Sequence, residues 1–377
     1  MDLYRKPVNS KERLNLIKGK PLDELFPYYG ATGQVGWIDS FLTDGEYILL
    51  GEDGAPFLNP YAEKAYIIHG KTWVNNHAHI LRSKTNNEFL CYYLNYFNYK
   101  KYVSGTTRLK LTQAQMRKIP IPNIPSDEQS RIVARIEELF SKLDKAVDTL
   151  KTTKEQLEVY RQAVLKDAFQ ETENIIRLGD AIEKPRYGTS KKCDYSCTAN
   201  STAVLRIPNI DTKNGRVDSS DLKYAEFNEK ELEQLSLKTG DILIIRSNGS
   251  ISLVGSSAII RKCDTDKTYA GYLMRLRILN KEKLLPQYLL YYLSSPDARR
   301  YIESVAKSTS GVNNINSQEI SKLCVPLSSI EKQEKTVAEI EMKLSVYHEI
   351  EKSVDTVLVQ ADAMRQSILK QAFEGAL

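Results

Sequence analysis

The sequence is poor in cysteine and has no long apolar run. Its five cysteines are an odd number scattered through 377 residues, which is not the pattern of a disulfide framework. No apolar stretch approaches the roughly 18 residues of a membrane helix, and residues 1–6 lead into polar sequence without the apolar core of a secretory signal. We therefore expect a reduced, cytoplasmic protein that does not engage a membrane.

The motifs of nucleotide and methyl-donor enzymes are also missing. There is no G-x-x-x-x-G-K-[ST] loop for ATP and no G-x-G-x-x-G after a strand, the segments that cradle phosphates with backbone amides. Asn59-Pro60-Tyr61 is one proline short of the N-P-P-Y loop of amino-methyltransferases. The sequence therefore does not predict ATP hydrolysis by a P-loop, and methyl transfer would need another chain.

Metal ligands are scarce as well. Cys193 and Cys197 have no second Cys or His pair at zinc-site spacing. His77 and His79 lie two apart and could serve metal binding or base contact, but polar side chains at a strand end are the favoured interpretation. Glu52-Asp53 is interpreted as a turn rather than a nuclease carboxylate pair. We predict no metal site.

An internal repeat is the strongest positive signal. Arg161–Phe169 (RQAVLKDAF) reappears as Arg365–Phe373 (RQSILKQAF), an offset that also relates Pro122 to Pro326 and Gln129 to Gln333. Self-similarity at one spacing indicates a duplicated architecture. The chain is thus predicted to be organised as two related halves.

Apolar residues recur every seven positions in both copies of this repeat. The first copy has Ile136, Leu143, Leu150, Leu157 and Val164, with a second row of Ile132, Leu139, Ala146, Thr153 and Tyr160. The second copy has Ile340, Tyr347, Val354, Ala361 and Ile368, with a looser second row of Thr336, Lys343, Ile350, Val357 and Met364. Heptads of this kind predict two long helices that pack along each other as an antiparallel coiled coil. Ser126 followed by Gln129 resembles a capping box, so we expect the first helix to begin near Asp127 and to end near Phe169.

The segments before the two helices also correspond. Asp44–Ala55 and Thr239–Ser250 each read as a strand entering a glycine turn, Tyr92–Leu94 matches Tyr291–Leu293 in a short helix, and Met116–Pro122 matches Ile320–Pro326 as a strand closed by proline. The predicted class is α+β, with two mixed globular domains separated by the helices. The predicted boundaries are 1–122, 123–172, 173–326 and 327–377. Region one lacks the opening segment found at 176–182, so its completeness is in question.

Charge is divided along these boundaries. Residues 1–122 and 173–326 each carry a net +5, whereas 123–172 carry −2 and 327–377 carry −3. Basic domains on acidic helices favour two nucleic-acid-binding modules on a scaffold, because phosphate contacts require Lys and Arg.

Three loops in each domain combine cations, amides, hydroxyls and aromatic rings, the side chains that contact phosphates and base edges. The candidate DNA-binding residues of the first domain are Tyr28, Tyr29, Lys71, Trp73, Asn75, Asn76, His77, His79, Thr107, Arg108 and Lys110. Those of the second are Arg186, Tyr187, Ser190, Lys191, Lys192, Arg246, Ser247, Asn248, Ser250, Thr309, Ser310, Asn313 and Asn314.

The order, offset and motifs together resemble the specificity subunits of Type I restriction-modification systems. The resemblance is carried by Glu128–Ile136 (EQSRIVARI), the weaker Lys332–Ile340 (KQEKTVAEI) and the proline-closed segments that precede them. It implies two target recognition domains that each read one half of a bipartite double-stranded DNA site. It also implies that the helices, through residues such as Ile132, Ile136, Leu139, Leu143, Leu150, Leu157, Ile340, Tyr347, Val354 and Ile368, separate the domains and dock two methyltransferase subunits.

The same resemblance implies that restriction subunits join the complex, and that S-adenosylmethionine, ATP and magnesium belong to partner subunits, with no cofactor in this chain. Two alternatives from other classes stay open. One is a coiled-coil adaptor that joins proteins without touching DNA. The other is a self-sufficient methylating or cutting polypeptide, which the missing motifs disfavour.

Overall fold

The computed structural model describes residues 6–170, 174–309 and 311–375. The chain divides into two compact units. Unit 1 comprises Met1–Thr153 and Ser353–Leu377, and unit 2 comprises Lys154–Lys352. Because both boundaries fall inside long helices, each unit contains one globular domain together with part of each helix.

The globular domain of unit 1 is built from two small sheets and short helices. The described elements are α1 (Ser10–Ile17), β1 (Phe26–Gly30), β2 (Gly33–Ile38), β3 (Tyr47–Gly51), β4 (Ala65–Ile68), β5 (Trp73–Val74), β6 (Ala78–Leu81), α2 (Asn87–Tyr96) and α3 (Gln113–Met116). The sheets have the orders β2-β1-β5 and β4-β3-β6. Ile48, Leu49 and Leu50 of β3 are all buried, as expected of a central strand covered on both faces.

Unit 2 begins with the end of helix α4 (Ser126–Asp167) and continues into a larger domain. Its strands are β7 (Ile175–Arg177), β8 (Arg186–Tyr187), β9 (Ser201–Leu205), β10 (Ile210–Asp211), β11 (Arg216–Val217), β12 (Lys223–Glu226), β13 (Ile242–Ile245), β14 (Ser247–Asn248), β15 (Ser257–Ile259), β16 (Thr268–Tyr269), β17 (Leu273–Leu276), β18 (Lys307–Thr309), β19 (Val312–Asn314) and β20 (Cys324–Pro326). Its helices are α5 (Leu178–Ala181), α6 (Glu229–Gln234), α7 (Pro286–Leu293), α8 (Pro296–Val305), α9 (Ser317–Ser321) and the first part of α10 (Ile330–Phe373).

The two domains share one strand plan. In unit 1, β1 pairs in parallel with β5 and antiparallel with β2, and β3 lies between β4 and β6. In unit 2, β9 pairs in parallel with β16 and antiparallel with β12, and β13 lies between β15 and β17. This repeated topology confirms the predicted α+β class and the internal duplication.

The two long helices pair antiparallel, as predicted. In unit 1, Asp144 of α4 forms an ion pair with Arg365 of α10. In unit 2, Glu158 of α4 accepts a hydrogen bond from Tyr347 of α10 at 2.8 Å. The partner number in α10 falls as the number in α4 rises, which defines the antiparallel direction.

Burial along α10 agrees with one predicted heptad row and contradicts the other. Ile340, Tyr347, Val354, Ala361 and Ile368 are all buried. The second row is wrong, since Ile350, Val357 and Met364 are all more than 40% exposed. Leu344 and Glu351, four residues after Ile340 and Tyr347, are the buried neighbours instead, because residues four apart lie on one helix face.

The predicted capping box at the start of α4 is also wrong. Ser126 lies inside the helix, and the buried side chain of Gln129 donates to the Ile124 carbonyl at 2.7 Å and accepts from the Thr85 hydroxyl. Gln333, its equivalent in α10, donates to the Ser328 carbonyl at 2.8 Å and accepts from a backbone amide of the second domain. The repeated glutamine therefore attaches each helix start to the domain before it. At the other end, α4 stops at Asp167, two residues before the predicted Phe169.

A repeated phenylalanine attaches the opposite helix end in each unit. Phe373, at the end of α10, packs edge-on against Phe89 and Tyr93 of α2 with centroids 5.4 and 5.3 Å apart. Phe169, just beyond α4, packs edge-on against Tyr288 and Tyr292 of α7 at 5.1 and 5.2 Å. Each domain thus holds the start of one long helix and the end of the other.

One predicted strand is absent from the described part of unit 1. Cys324–Pro326 forms β20 by pairing with β7, but residues 117–122 adopt no strand. A lone segment has no partner for its ladder hydrogen bonds, and residues 6–122 contain no strand equivalent to β7. The strand prediction for Met116–Pro122 is therefore wrong.

Candidate nucleic-acid interface

Two of the candidate loops in unit 2 are joined by strand pairing. Ser247 and Asn248 of β14 pair with Asn314 and Asn313 of β19, and β19 pairs in turn with β18. The Asn313 side-chain amide also donates to the Gly249 carbonyl at 2.9 Å. Loops that are more than 60 residues apart in sequence therefore form one small sheet.

The third loop joins them through an aromatic ring. The Arg246 guanidinium lies over the Tyr187 ring, 4.5 Å from its centroid, and its Nη1 donates to the Gly271 carbonyl at 3.0 Å. The Tyr187 hydroxyl accepts from the Ser317 backbone amide at 2.8 Å. Stacking and hydrogen bonding restrain Arg246, so less side-chain entropy is lost if its remaining donors bind a ligand.

The loops that contain Tyr187 and Arg246 border an open cleft of about 660 Å³, which we call the loop cleft. Its lining includes Lys191, Arg206, Lys223 and Arg246 and the exposed ring of Tyr272. Among the described residues, the Nε atoms of Arg206 and Arg246 are buried without a hydrogen-bond partner, and buried unpaired donors are uncommon in folded proteins. A cationic, aromatic cleft of this kind suits phosphates and base edges.

Acidic neighbours hold two of these cations in place. Lys191 donates to Glu231 at 2.6 Å, and Arg206 donates to Asp221 at 2.9 Å. Hydrogen bonds from Lys191 and Arg206 are the main reason that the pKa values of the Glu231 and Asp221 carboxyls lie below their usual range. Both carboxylates are therefore ionised at neutral pH.

In unit 1 the candidate loops meet at two consecutive carboxylates. Asp53 lies 2.6 Å from His77 Nδ1 and 2.7 Å from Arg108. Glu52 lies 3.3 Å from Lys110 and 3.7 Å from His79 Nδ1. Glu52 lies in a bend directly after β3, in keeping with the predicted turn, and Asp53 forms an isolated bridge with Lys110. The sequence interpretation therefore missed Glu52 and Asp53 as the centre of this loop cluster.

The same backbone position carries opposite charges in the two units. The Glu52 amide donates to the His77 carbonyl, and the Glu52 carbonyl accepts from the Leu111 amide. In unit 2 the Arg246 amide donates to the Tyr272 carbonyl, and the Arg246 carbonyl accepts from the Ile315 amide. Glu52 and Arg246 are thus equivalent by hydrogen bonding, so the shared fold presents different chemistry in each unit.

Five of the predicted contact residues have buried side chains, namely Tyr28, Trp73, Asn75, His79 and Ser247. The Tyr28 hydroxyl donates to the Val8 carbonyl, Trp73 Nε1 donates to the Lys6 carbonyl, and Asn75 Oδ1 accepts from the His77 amide. His79 Nε2 lies 2.8 Å from the Leu111 carbonyl. In this conformation these side chains support the loops and are not available to a ligand at the surface.

Most of the remaining candidates reach the surface. The exposed ones are Lys71, Asn76, Thr107, Arg108, Lys110, Arg186, Tyr187, Ser190, Lys191, Lys192 and Ser250. The half-buried ones are Tyr29, His77, Arg246, Asn248, Asn313 and Asn314. The side chain of Thr309 and all of Ser310 lie outside the described residues.

The sequence interpretation also missed three residues of the loop cleft: Arg206, Lys223 and Tyr272. Arg206 directly follows β9, and Tyr272 directly precedes β17. None of the three lies in a Gly- or Asn-rich loop of the kind that singled out the other candidates. Strand pairing brings them together, because β9 pairs both with β12, which carries Lys223, and with β16, which precedes Tyr272.

The described residues contain no group of three or more His, Cys, Asp or Glu side chains placed to hold a metal ion. No helix in this part of the chain is both long and apolar enough to cross a membrane.

Comparison with known proteins agrees with this architecture. Residues 10–159 match the family model described as the Type I restriction modification DNA specificity domain. The specificity subunit of the Type I restriction enzyme EcoKI from Escherichia coli is 28% identical over 289 residues, which cover 73% of this chain and 61% of that protein. The specificity subunit of the Type I restriction enzyme StySPI from Salmonella potsdam is 26% identical over 287 residues, which cover 73% of this chain and 60% of that protein.

A solved chain from a Type I restriction-modification system has the same fold. It aligns with a TM-score of 0.69 over 88% of this chain and 82% of its own length, at 18% sequence identity. The chain therefore shares with that protein a duplicated fold in which long helices accompany two globular domains. Residues 10–159 are therefore similar to the Type I restriction modification DNA specificity domain, and 73% of the chain is similar to the two specificity subunits named above. The chain spans about six-tenths of the length of these two relatives.

Proposed function

We propose that this chain is the DNA-reading subunit of a Type I restriction-modification complex and has no catalytic residues of its own. Each globular domain reads one half of a bipartite double-stranded site. The observation that carries the proposal is the convergence of three separate loops in each unit on one polar surface, built around Arg246 in unit 2 and around Asp53 in unit 1.

The long helices take the scaffolding role in this proposal. They set the unread spacer between the half-sites and dock two methyltransferase subunits, and restriction subunits join that core. Met342 and Val346, 63% and 53% exposed on α10, support docking, because exposed apolar side chains on one helix face favour a protein partner. S-adenosylmethionine, ATP and magnesium would be bound by the partner subunits.

Co-expression with the methyltransferase subunit tests this function. The expected result is a co-purifying complex that methylates one bipartite sequence, mapped by methylome sequencing. A complex that forms but binds no DNA at low salt would favour the coiled-coil adaptor. S-adenosylmethionine bound to the purified chain alone would favour a self-sufficient enzyme.

A further inference from the structure

Unit 2 contains a second concave surface, which we call the helix-side cleft. Its volume is about 1130 Å³, and it is lined by residue 161 of α4, by residues from 212–216, 239–240, 259–262, 281 and 286–294 of the globular domain, and by residues from 341–352 of α10. One wall is the surface of α10, and the facing walls belong to the globular domain. The cleft is larger than the loop cleft and shares none of its residues.

Positive charge dominates this cleft. Seven of its lining side chains are Lys or Arg, whereas the only carboxylates among the lining residues are Glu341 and Glu349. Lys213 is paired with Glu351 at 2.8 Å, and Lys281 donates to the Thr239 carbonyl. The excess of cations gives the cleft a positive potential that attracts anionic groups.

Two of the cations have the exposure that a docking contact requires. Arg216 lies on β11 and Lys262 follows β15, and both side chains are exposed. Among the described residues, neither has an ion pair. They can therefore bind carboxylates of a partner without first breaking an existing salt bridge.

The helix-side cleft lies at the other end of the central sheet from the loop cleft. Thr239 and Gly240, which precede β13, line the helix-side cleft, and Arg246 and Ser247, which follow β13, line the loop cleft. The chain takes six residue steps from Gly240 to Arg246, a distance of roughly 20 Å at 3.3 Å per residue in extended conformation. The helix-side cleft is therefore not an extension of the candidate DNA surface.

We propose that the helix-side cleft binds an acidic segment of the methyltransferase subunit. Apolar residues of α7 such as Pro286 and Leu290 line the same cleft as the cations, which suits a peptide with both apolar and acidic side chains better than a uniformly charged DNA backbone. The inference rests on the proposed function for the identity of the partner, and it adds where and by what chemistry that partner binds.

Charge reversal of the two exposed cations tests the inference. The double variant Arg216→Glu with Lys262→Glu should bind the methyltransferase subunit at least about tenfold more weakly, since like charges across an interface are repulsive. The milder variant Arg216→Gln with Lys262→Gln should show a smaller loss. The matched control is Lys230→Glu with Arg300→Glu, which makes the same charge change at exposed positions outside the cleft and should alter binding by less than about twofold.

Binding is measured by surface plasmon resonance at two salt concentrations, together with the melting temperature of each variant and its affinity for a random-sequence 30-base-pair duplex. A folded reversal variant that binds as tightly as the unchanged chain overturns the inference. Equal losses in the control, or a loss of duplex binding alone, overturn it as well. If the unchanged chain binds no methyltransferase subunit, both the inference and the proposed function fail. This outcome differs from the three above, which concern the variants and leave the proposed function in place. If the reversal variant does not fold, the glutamine variant decides.

Discussion

Lengthening both long helices by four residues tests whether they set the distance between the half-sites. The pairs Asp144–Arg365 and Glu158–Tyr347 place residue 153 of α4 beside about residue 353 of α10. Four helix-forming residues are inserted at both points, so that the antiparallel register outside the insertion is kept.

The expected change follows from helix geometry. Four residues add about 6 Å and rotate the helix by about 40° beyond a full turn. One base pair adds about 3.4 Å and rotates DNA by about 35°. The rotation matches one base pair, and the length lies between one and two, so the unread spacer should grow by one or two base pairs. Both half-sites should be unchanged, because the recognition loops are untouched.

Methylome sequencing of cells that carry the insertion is the assay. The control replaces residues 151–154 with the same four residues without changing the length, and should keep the original spacer. The insertion interrupts the heptad row with a stutter, so some stability is expected to be lost in the lengthened chain alone. An unchanged spacer in a folded, methylating variant, or new half-site sequences, would refute the idea that the helices act as a ruler.

Three further predictions address binding, readout and stability. Affinity of the complex for its DNA should fall steeply with salt, by about a thousandfold between 50 and 200 mM if six phosphates are contacted; an affinity that stays flat in a filter-binding titration would contradict this. Arg246→Ala and Asn248→Ala should each lower the discrimination against the wrong base at one position of one half-site by about 1–3 kcal/mol, and the other half-site should be unchanged. Lys192→Ala should weaken DNA binding without changing the methylated sequence. Methylated sequences altered in both half-sites would refute the two-module arrangement. Burial lowers the pKa of Lys64 to about 8, so between pH 8 and about 10.4 the unfolded chain holds a proton that the folded chain has lost. The urea unfolding midpoint of the unchanged chain should therefore rise relative to that of Lys64→Met across this pH range. If the two midpoints depend on pH in the same way, the titration of Lys64 does not contribute to stability.

The long helices were predictable from the sequence because their determinants are local. The expected bounds of α4 lie within two residues of the observed ones, although the capping box that gave its start is absent, and heptad spacing identified the buried row from Ile340 to Ile368. It failed for the row containing Ile350 and Val357, since periodicity alone does not say which flank of a helix a neighbouring domain covers. The Gln129 error has a similar origin, because the side chain bonds to Ile124 and Thr85 rather than completing a local cap.

The candidate site was predictable as a set of loops but not as a surface. Pairing between Ser247 and Asn314 joins residues 67 positions apart, and no local signal in either loop encodes such a contact. Burial of Trp73 and His79 was hidden for the same reason: their partners Lys6 and Leu111 are distant in sequence. Residue types that suit base contact also suit the support of a loop, and only the fold separates the two roles.

The equivalence of Glu52 and Arg246 suggests how one scaffold serves two readers. Both residues are held through backbone amides and carbonyls, and these bonds do not depend on the side chain. A substitution at this position can therefore change the charge presented to a ligand while the strand and its neighbours stay in place. In unit 1 the carboxylates of Glu52 and Asp53 hold His77, Arg108 and Lys110, so a carboxylate occupies the backbone position that carries the Arg246 guanidinium in unit 2. If both domains read DNA, they do so with different side chains at the same backbone position, which is the arrangement expected of a protein whose two half-sites differ in sequence.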